Sequence, residues 1–204
     1  MTAESGLHAT REGIEDLVSP PTPSLVLCAL DEHLGRAWQT VADTVRGDVR
    51  AYRGSVLDVA ADAVVSPGNA YGWLRGGVDA RYARAFPDAE QHVRSAVLAY
   101  HGGELPIGEA VVVPTGEPVP AWLISAPIRR EPGEVLPEDT VHPYLAARAV
   151  FLTWRDGRFE HGVEIRRAVR TIAMPGLGTG VGGVTPQTCA RQVAAAWTEV
   201  FGAR

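Results

Sequence analysis

The chain has 204 residues, of which 46% are hydrophobic, enough for one buried core. Its 19 Lys and Arg stand against 24 Asp and Glu, a formal net charge of -5, so no broad electrostatic grip on nucleic acid or an anionic membrane is expected and any anion must be held locally. No apolar run approaches the ~20 residues of a membrane-crossing helix, and the opening MTAESGLHATREGIEDL lacks the basic and apolar regions of a signal peptide, so a cytoplasmic protein is expected.

A polar tail over residues 1–23 ends in the proline cluster SPPTPS, and one folded domain is expected over residues 24–204. LVLCAL then reads as a strand, HLGRAWQTVADTV as a helix and VRAYRGSVLDV as a strand with its exit. DAVVSPGNAYGWLRGG runs from a short β-branched strand into a loop, and VDARYARAF is a helix that Pro87 stops. In the next helix Val93, Ala96, Val97 and Tyr100 fall at helical spacing and are expected to face the core. EAVVVPTG and AWLISAPI are two further strands, HPYLAARAVFLTW is a long helix, and AVRTIAMPG is the last strand. Thr185 and Pro186 suit the cap and first position of a final helix whose apolar face is Cys189, Val193, Ala196, Trp197 and Val200. Cys28 and Cys189 read as reduced, packed residues, and the six histidines make no metal-ligand spacing with them, so neither a metal nor a cofactor is expected. Strands alternating with helices predict a three-layer α/β/α sandwich. Its central sheet should be mixed but mostly parallel, because two strand pairs have short connections.

The segment GLGTGVGGVTP places five glycines in eight residues between the last strand and the last helix. Free backbone N–H groups at a helix N-terminus suit a phosphate. A nucleoside triphosphatase loop is excluded because no lysine is present, and a dinucleotide-binding loop fits poorly because a single helix remains after it. A tight turn without a ligand is the plain alternative. A second glycine loop argues for the ligand: Asn69 follows the AVV strand, and Gly76 and Gly77 precede the helix starting near Asp79. Two such strand-exit loops facing each other across the carboxyl ends of a sheet would form a cleft.

DAVVSPGNAYGWLRGGVDARYARAF and IAMPGLGTGVGGVTPQTCA, with GELPIGEAVVVPTG and WLISAPI between them, resemble in order and spacing the macrodomains, which bind ADP-ribose and in some members hydrolyse it from modified targets. The resemblance runs from about Leu25 to Phe201. It implies that Asn69 meets the distal ribose and serves catalysis, and that Gly76, Gly77 and Val78 contact the ribose and phosphate. Gly178, Thr179, Gly180, Val181 and Gly182 would wrap the diphosphate. Ser55, with Val56 beside it, stands where many members use aspartate to read adenine, and its hydroxyl can still accept that hydrogen bond. Ser66-Pro67-Gly68-Asn69 replaces the family's Asn-Ala-Ala-Asn block, and Tyr71 and Trp73 either substitute for missing stacking aromatics or cover local structure. Asp79 either activates water as a catalytic base or caps a helix, and burial and the helix terminus push its acidity in opposite directions. The implied partner is ADP-ribose or an ADP-ribosylated target. A reader without turnover is the alternative, and the sequence assigns neither the target nor an oligomeric state.

Overall fold

The computed structural model describes residues 21–202, so residues 1–20 of the expected polar tail lie outside the described part. In chain order the elements are β1 (Ser24–Ala29), α1 (Glu32–Thr44), β2 (Val49–Arg53), β3 (Ala63–Ser66), α2 (Gly77–Ala85), α3 (Ala89–His101), β4 (Val111–Pro114), β5 (Trp122–Ser125), α4 (His142–Asp156), the short α5 (Ile165–Ala168), β6 (Thr171–Met174) and α6 (Pro186–Phe201). The six strands form one sheet in the order β2-β1-β6-β3-β5-β4. All neighbours are parallel except β4 and β5, so the sheet is mixed and mostly parallel.

Strand alternation builds the three layers. Leu25, Leu27, Ala63, Val65, Ile172 and Met174 face α1, α4 and α6 in one core, whereas Val26, Cys28, Val64 and Ala173 meet Tyr82 of α2, Phe86 just past its end, and Val93 and Val97 of α3 in the other. The α6 stripe is buried as its periodicity requires, and the Thr185 hydroxyl accepts the Thr188 N–H as N-cap, with Pro186 opening the helix.

Three sequence expectations change. The short link from β2 to β3 does not pair them, because β1 and β6 lie between, and among the described residues one antiparallel pair exists where two were expected. The Asp62 carboxylate explains how β6 enters that gap: it accepts the backbone N–H groups of Arg170 and Thr171, fixing the start of β6 beside β3. Tyr100 is 60% exposed instead of facing the core, with its hydroxyl donated to Glu160. The start of the segment read as the last strand is taken up by the end of α5 and its exit.

Candidate functional site

The carboxyl ends of β1, β2, β3, β5 and β6 open onto one cavity of about 490 Å³, within the range typical of small-molecule sites. The chain winds outward from β1 to β2 on one side, while β3 and β5 lie on the other, with β6 between them. The cavity therefore occupies the place where parallel α/β sheets usually take ligands.

Each strand contributes by its exit loop. Beyond β1 come Leu30, Asp31 and Leu34, with Asp31 capping α1 by accepting the Leu34 N–H at 2.9 Å. Beyond β2 come Gly54, Ser55 and Val56. The Ser55 Oγ accepts the Leu57 N–H at 3.2 Å, and Asp58 returns the bond to the Ser55 N–H, closing a capping box around a single helical turn. The Ser55 hydroxyl proton stays available, while Val56 offers a buried apolar wall.

Beyond β3, Pro67, Gly68 and Asn69 line the cavity, followed by Arg75, Gly76, Gly77, Val78 and Asp79. Asn69 is 4% exposed, and its side chain shapes its own loop: Oδ1 accepts from the N–H groups of Tyr71 and Trp73, and Nδ2 donates to the Trp73 carbonyl at 2.7 Å. Gly76 and Gly77 have φ of 97° and 56°, and a Cβ at either would find nothing within 4 Å, so the left-handed backbone is what demands glycine there. That turn aims α2 so that Asp79 falls inward. The carboxylate is 7% exposed, and its Oδ1 accepts the hydroxyl of the fully buried Ser66 at 2.7 Å. The N-cap of α2 is Gly76, and no side chain caps the helix. Burial pushes the Asp79 carboxyl up to about 6, against the lowering effects of the Ser66 hydrogen bond and the Arg129 charge.

Beyond β6, Pro175, Gly176, Gly178, Thr179, Gly180 and Val181 complete the wall. The glycines differ in what they do. Gly178 has φ of +81°, and a Cβ on it would stand 2.9 Å from Val184 and 3.2 Å from Ile128, so it serves the loop's own packing. Gly182, expected around the ligand, does not line the cavity: a Cβ there would meet the Gly178 carbonyl at 2.7 Å, and its own carbonyl accepts the Leu136 N–H. Gly180 alone among these three has open space where a side chain would start.

Sequence reasoning missed Arg129, which follows β5, is partly buried and lines the cavity close enough to Asp79 to act on its charge. It missed Arg75 and the Pro132-Gly133 rim as well. An Arg-Arg pair opening a polar loop carries no periodic signal, so nothing local distinguishes Arg129 from a surface cation. Tyr71 and Trp73 do not line this cavity. Trp73 instead holds the guanidinium groups of Arg75 and Arg94 over its ring, at 3.9 and 3.5 Å from the centroid, as local cover. Cys28 lies in the wall, but burial, then the Asp58 charge, pushes its thiol up to about 12, leaving it unreactive near neutral pH.

A family model described as Macro domain matches residues 65–193. An uncharacterised protein of Aquifex aeolicus is 33% identical over 144 residues, covering 71% of this chain and 77% of its own length. One of Aeropyrum pernix is 32% identical over 145 residues, covering 70% and 67%. Among solved structures, the macrodomain of Mycobacterium tuberculosis DarG superposes with a TM-score of 0.59 at 20% identity, over 74% of this chain and 90% of that one. The Trypanosoma brucei macrodomain in complex with ADP-ribose gives 0.50 at 21%, over 72% and 56%. The Oceanobacillus iheyensis macrodomain with ADP gives 0.58 at 16%, over 73% and 74%. With the matched segment spanning both glycine loops and the helix start that carries Asp79, the chain belongs to the macrodomain family.

Proposed function

We propose that the cavity binds ADP-ribose and that the protein hydrolyses the bond between the distal ribose and a modified target. The observation that carries this reading is Asp79, a buried carboxylate in the cavity wall, uncommitted to helix capping and with its acidity moved to about 6, where a general base works near neutral pH. Macrodomains of the same fold hold ADP-ribose in Trypanosoma brucei and ADP in Oceanobacillus iheyensis, which supports the ligand class.

In this reading the diphosphate lies along Gly178 to Val181, where Gly180 leaves the backbone approachable, and the adenine enters beside Ser55, Val56 and Leu34. Ser55 accepts the Leu57 N–H with one lone pair and keeps its hydroxyl proton and a second lone pair for the base. The distal ribose meets Gly76, Gly77 and Val78, and the Asn69 N–H not used by Trp73 reaches a ribose hydroxyl. Asp79 takes a proton from water as the water oxygen attacks the anomeric carbon. The bond to the target breaks with its electron pair on the leaving oxygen or nitrogen, which then receives the proton. The Arg129 cation offsets the charge that develops.

A reader without turnover is the second reading, favoured by the commitment of the Asn69 side chain to its own loop. Calorimetry with free ADP-ribose, paired with a release assay on ADP-ribosylated protein or nucleic acid, tests both. Binding with release is expected; binding without release establishes the reader, and absence of binding overturns both.

A further inference from the structure

Ser66 closes β3 at the centre of the sheet, with its carbonyl accepting the Ala126 N–H and its register partner Ser125 equally buried. A fully buried hydroxyl needs a partner, and here it donates to Asp79 Oδ1 at 2.7 Å, across the gap between the β3 exit and the first turn of α2. The second carboxylate oxygen has a different neighbour. A Cβ on Gly68 would stand 3.3 Å from Asp79 Oδ2 and 3.4 Å from Ser66 Oγ, so the bare Gly68 backbone lies over the pair and leaves room at Oδ2. Gly68 and Asp79 both line the cavity.

We propose that Ser66 is a positioning residue that anchors Asp79 through Oδ1, so that Oδ2 is the oxygen presented to the attacking water, with Gly68 keeping that oxygen accessible. The inference rests on the hydrolytic reading of Asp79 for its consequence in turnover, but not for the pairing itself. A hydroxyl donated to a carboxylate favours the charged form, so Ser66 works against the burial that favours the protonated one. The other charged group that acts on this carboxylate is Arg129, at the β5 exit, which also favours its charge; Tyr82, one turn further along α2, feels the Asp79 charge but commits its hydroxyl to the Val65 carbonyl. Among the described residues neither donates a hydrogen bond to Oδ1, which Ser66 alone serves.

The test is Ser66→Ala with Ser66→Thr as the variant that keeps the hydroxyl, read two ways. Carbon-detected NMR titration of the Asp79 carboxyl should show its midpoint rise in Ser66→Ala and return towards the wild-type value in Ser66→Thr. Single-turnover release should fall about 10- to 100-fold in Ser66→Ala, the rate equivalent of one hydrogen bond to a charged group. Its pH midpoint should rise with the carboxyl, and calorimetric affinity for ADP-ribose should stay within twofold. An unmoved Asp79 midpoint in folded Ser66→Ala overturns the proposal, as does a loss of rate at an unmoved pH midpoint, which marks a purely structural role. If Asp79→Asn releases ADP-ribose at the wild-type rate, the hydrolytic reading fails, while the titration still decides the pairing.

Discussion

At the scale of single residues, Asp79 shows how burial decides between opposed influences. The sequence places it in the first turn of a helix, where a carboxylate is ordinarily stabilised in its charged form. The fold buries it against Ser66 instead, and desolvation prevails, raising it to about 6. The folded state therefore holds the Asp79 proton more tightly than the unfolded chain does. The resulting cost of ionisation is absent below pH 3.8, grows as pH rises and is fully present above about 6. Replacing Asp79 by Asn should accordingly stabilise the protein by about 1–3 kcal/mol at pH 8, with a smaller gain at pH 5. Urea unfolding at both values checks this; an equal loss of stability at both would mark a helix cap. For Ser55, whose hydroxyl proton is free, Ser55→Ala should weaken ADP-ribose binding by about 0.5–1.5 kcal/mol and leave ribose 5-phosphate, which lacks the base, unaffected in calorimetry. An equal loss for both ligands would separate Ser55 from the adenine. Asn69 and Asp79 were legible as cavity residues because they flank the Gly76-Gly77 pair in the strand-to-helix segment that resembles the macrodomains, whereas the Ser66 partner was not: Ser66 and Asp79 are thirteen positions apart and meet through the strand–helix crossing alone.

At the scale of elements, glycine runs carry two messages that a sequence superimposes. In the loop after β6, Gly178 and Gly182 are required by the loop's own close packing, and Gly180 faces open space. Substitutions should separate the roles. Gly178→Ala must strain a positive φ and crowd Val184 and Ile128, costing about 1–3 kcal/mol of stability. Gly180→Glu starts its side chain in open space, so its melting temperature should stay near wild type while its charge opposes the diphosphate and ADP-ribose binding collapses. Thermal unfolding and calorimetry on the two variants check the pair. Wild-type affinity in Gly180→Glu would remove the diphosphate from this loop. Helix periodicity was the most legible feature where a face is buried throughout, as in α6. It failed at Tyr100, near the end of α3, where the apolar stripe outlasts the surface it packs on and the ring turns outward to Glu160.

At the scale of the whole molecule, the layer architecture follows from alternation of strands and helices, but strand order does not. The connection from β2 to β3 is short, yet β6, the last strand of the chain, enters beside β1 and β3, tied to β3 through Asp62. That insertion sets the loop after β6 next to the loop after β3 and so creates the cavity from segments more than a hundred positions apart. Among the described residues no helix is long and apolar enough to cross a membrane, and no group of three or more His, Cys, Asp or Glu stands ready to hold a metal ion. Of the carboxylates in the cavity wall, Asp31 caps α1, and Asp79 is buried between the two glycine loops with the Arg129 cation near it. The measurement that tests the role of Asp79 most directly is the single-turnover rate of ADP-ribose release from an ADP-ribosylated target between pH 5 and 8, for the wild type and Asp79→Asn, with ADP-ribose affinity measured alongside. A base is active when deprotonated, so the wild-type rate should rise through about pH 6 to a plateau. Asp79→Asn should bind ADP-ribose normally, release it about 10²–10⁴-fold more slowly on the plateau, and show no rise through about pH 6. Release by Asp79→Asn at the wild-type rate, with the same pH dependence, would contradict the assignment.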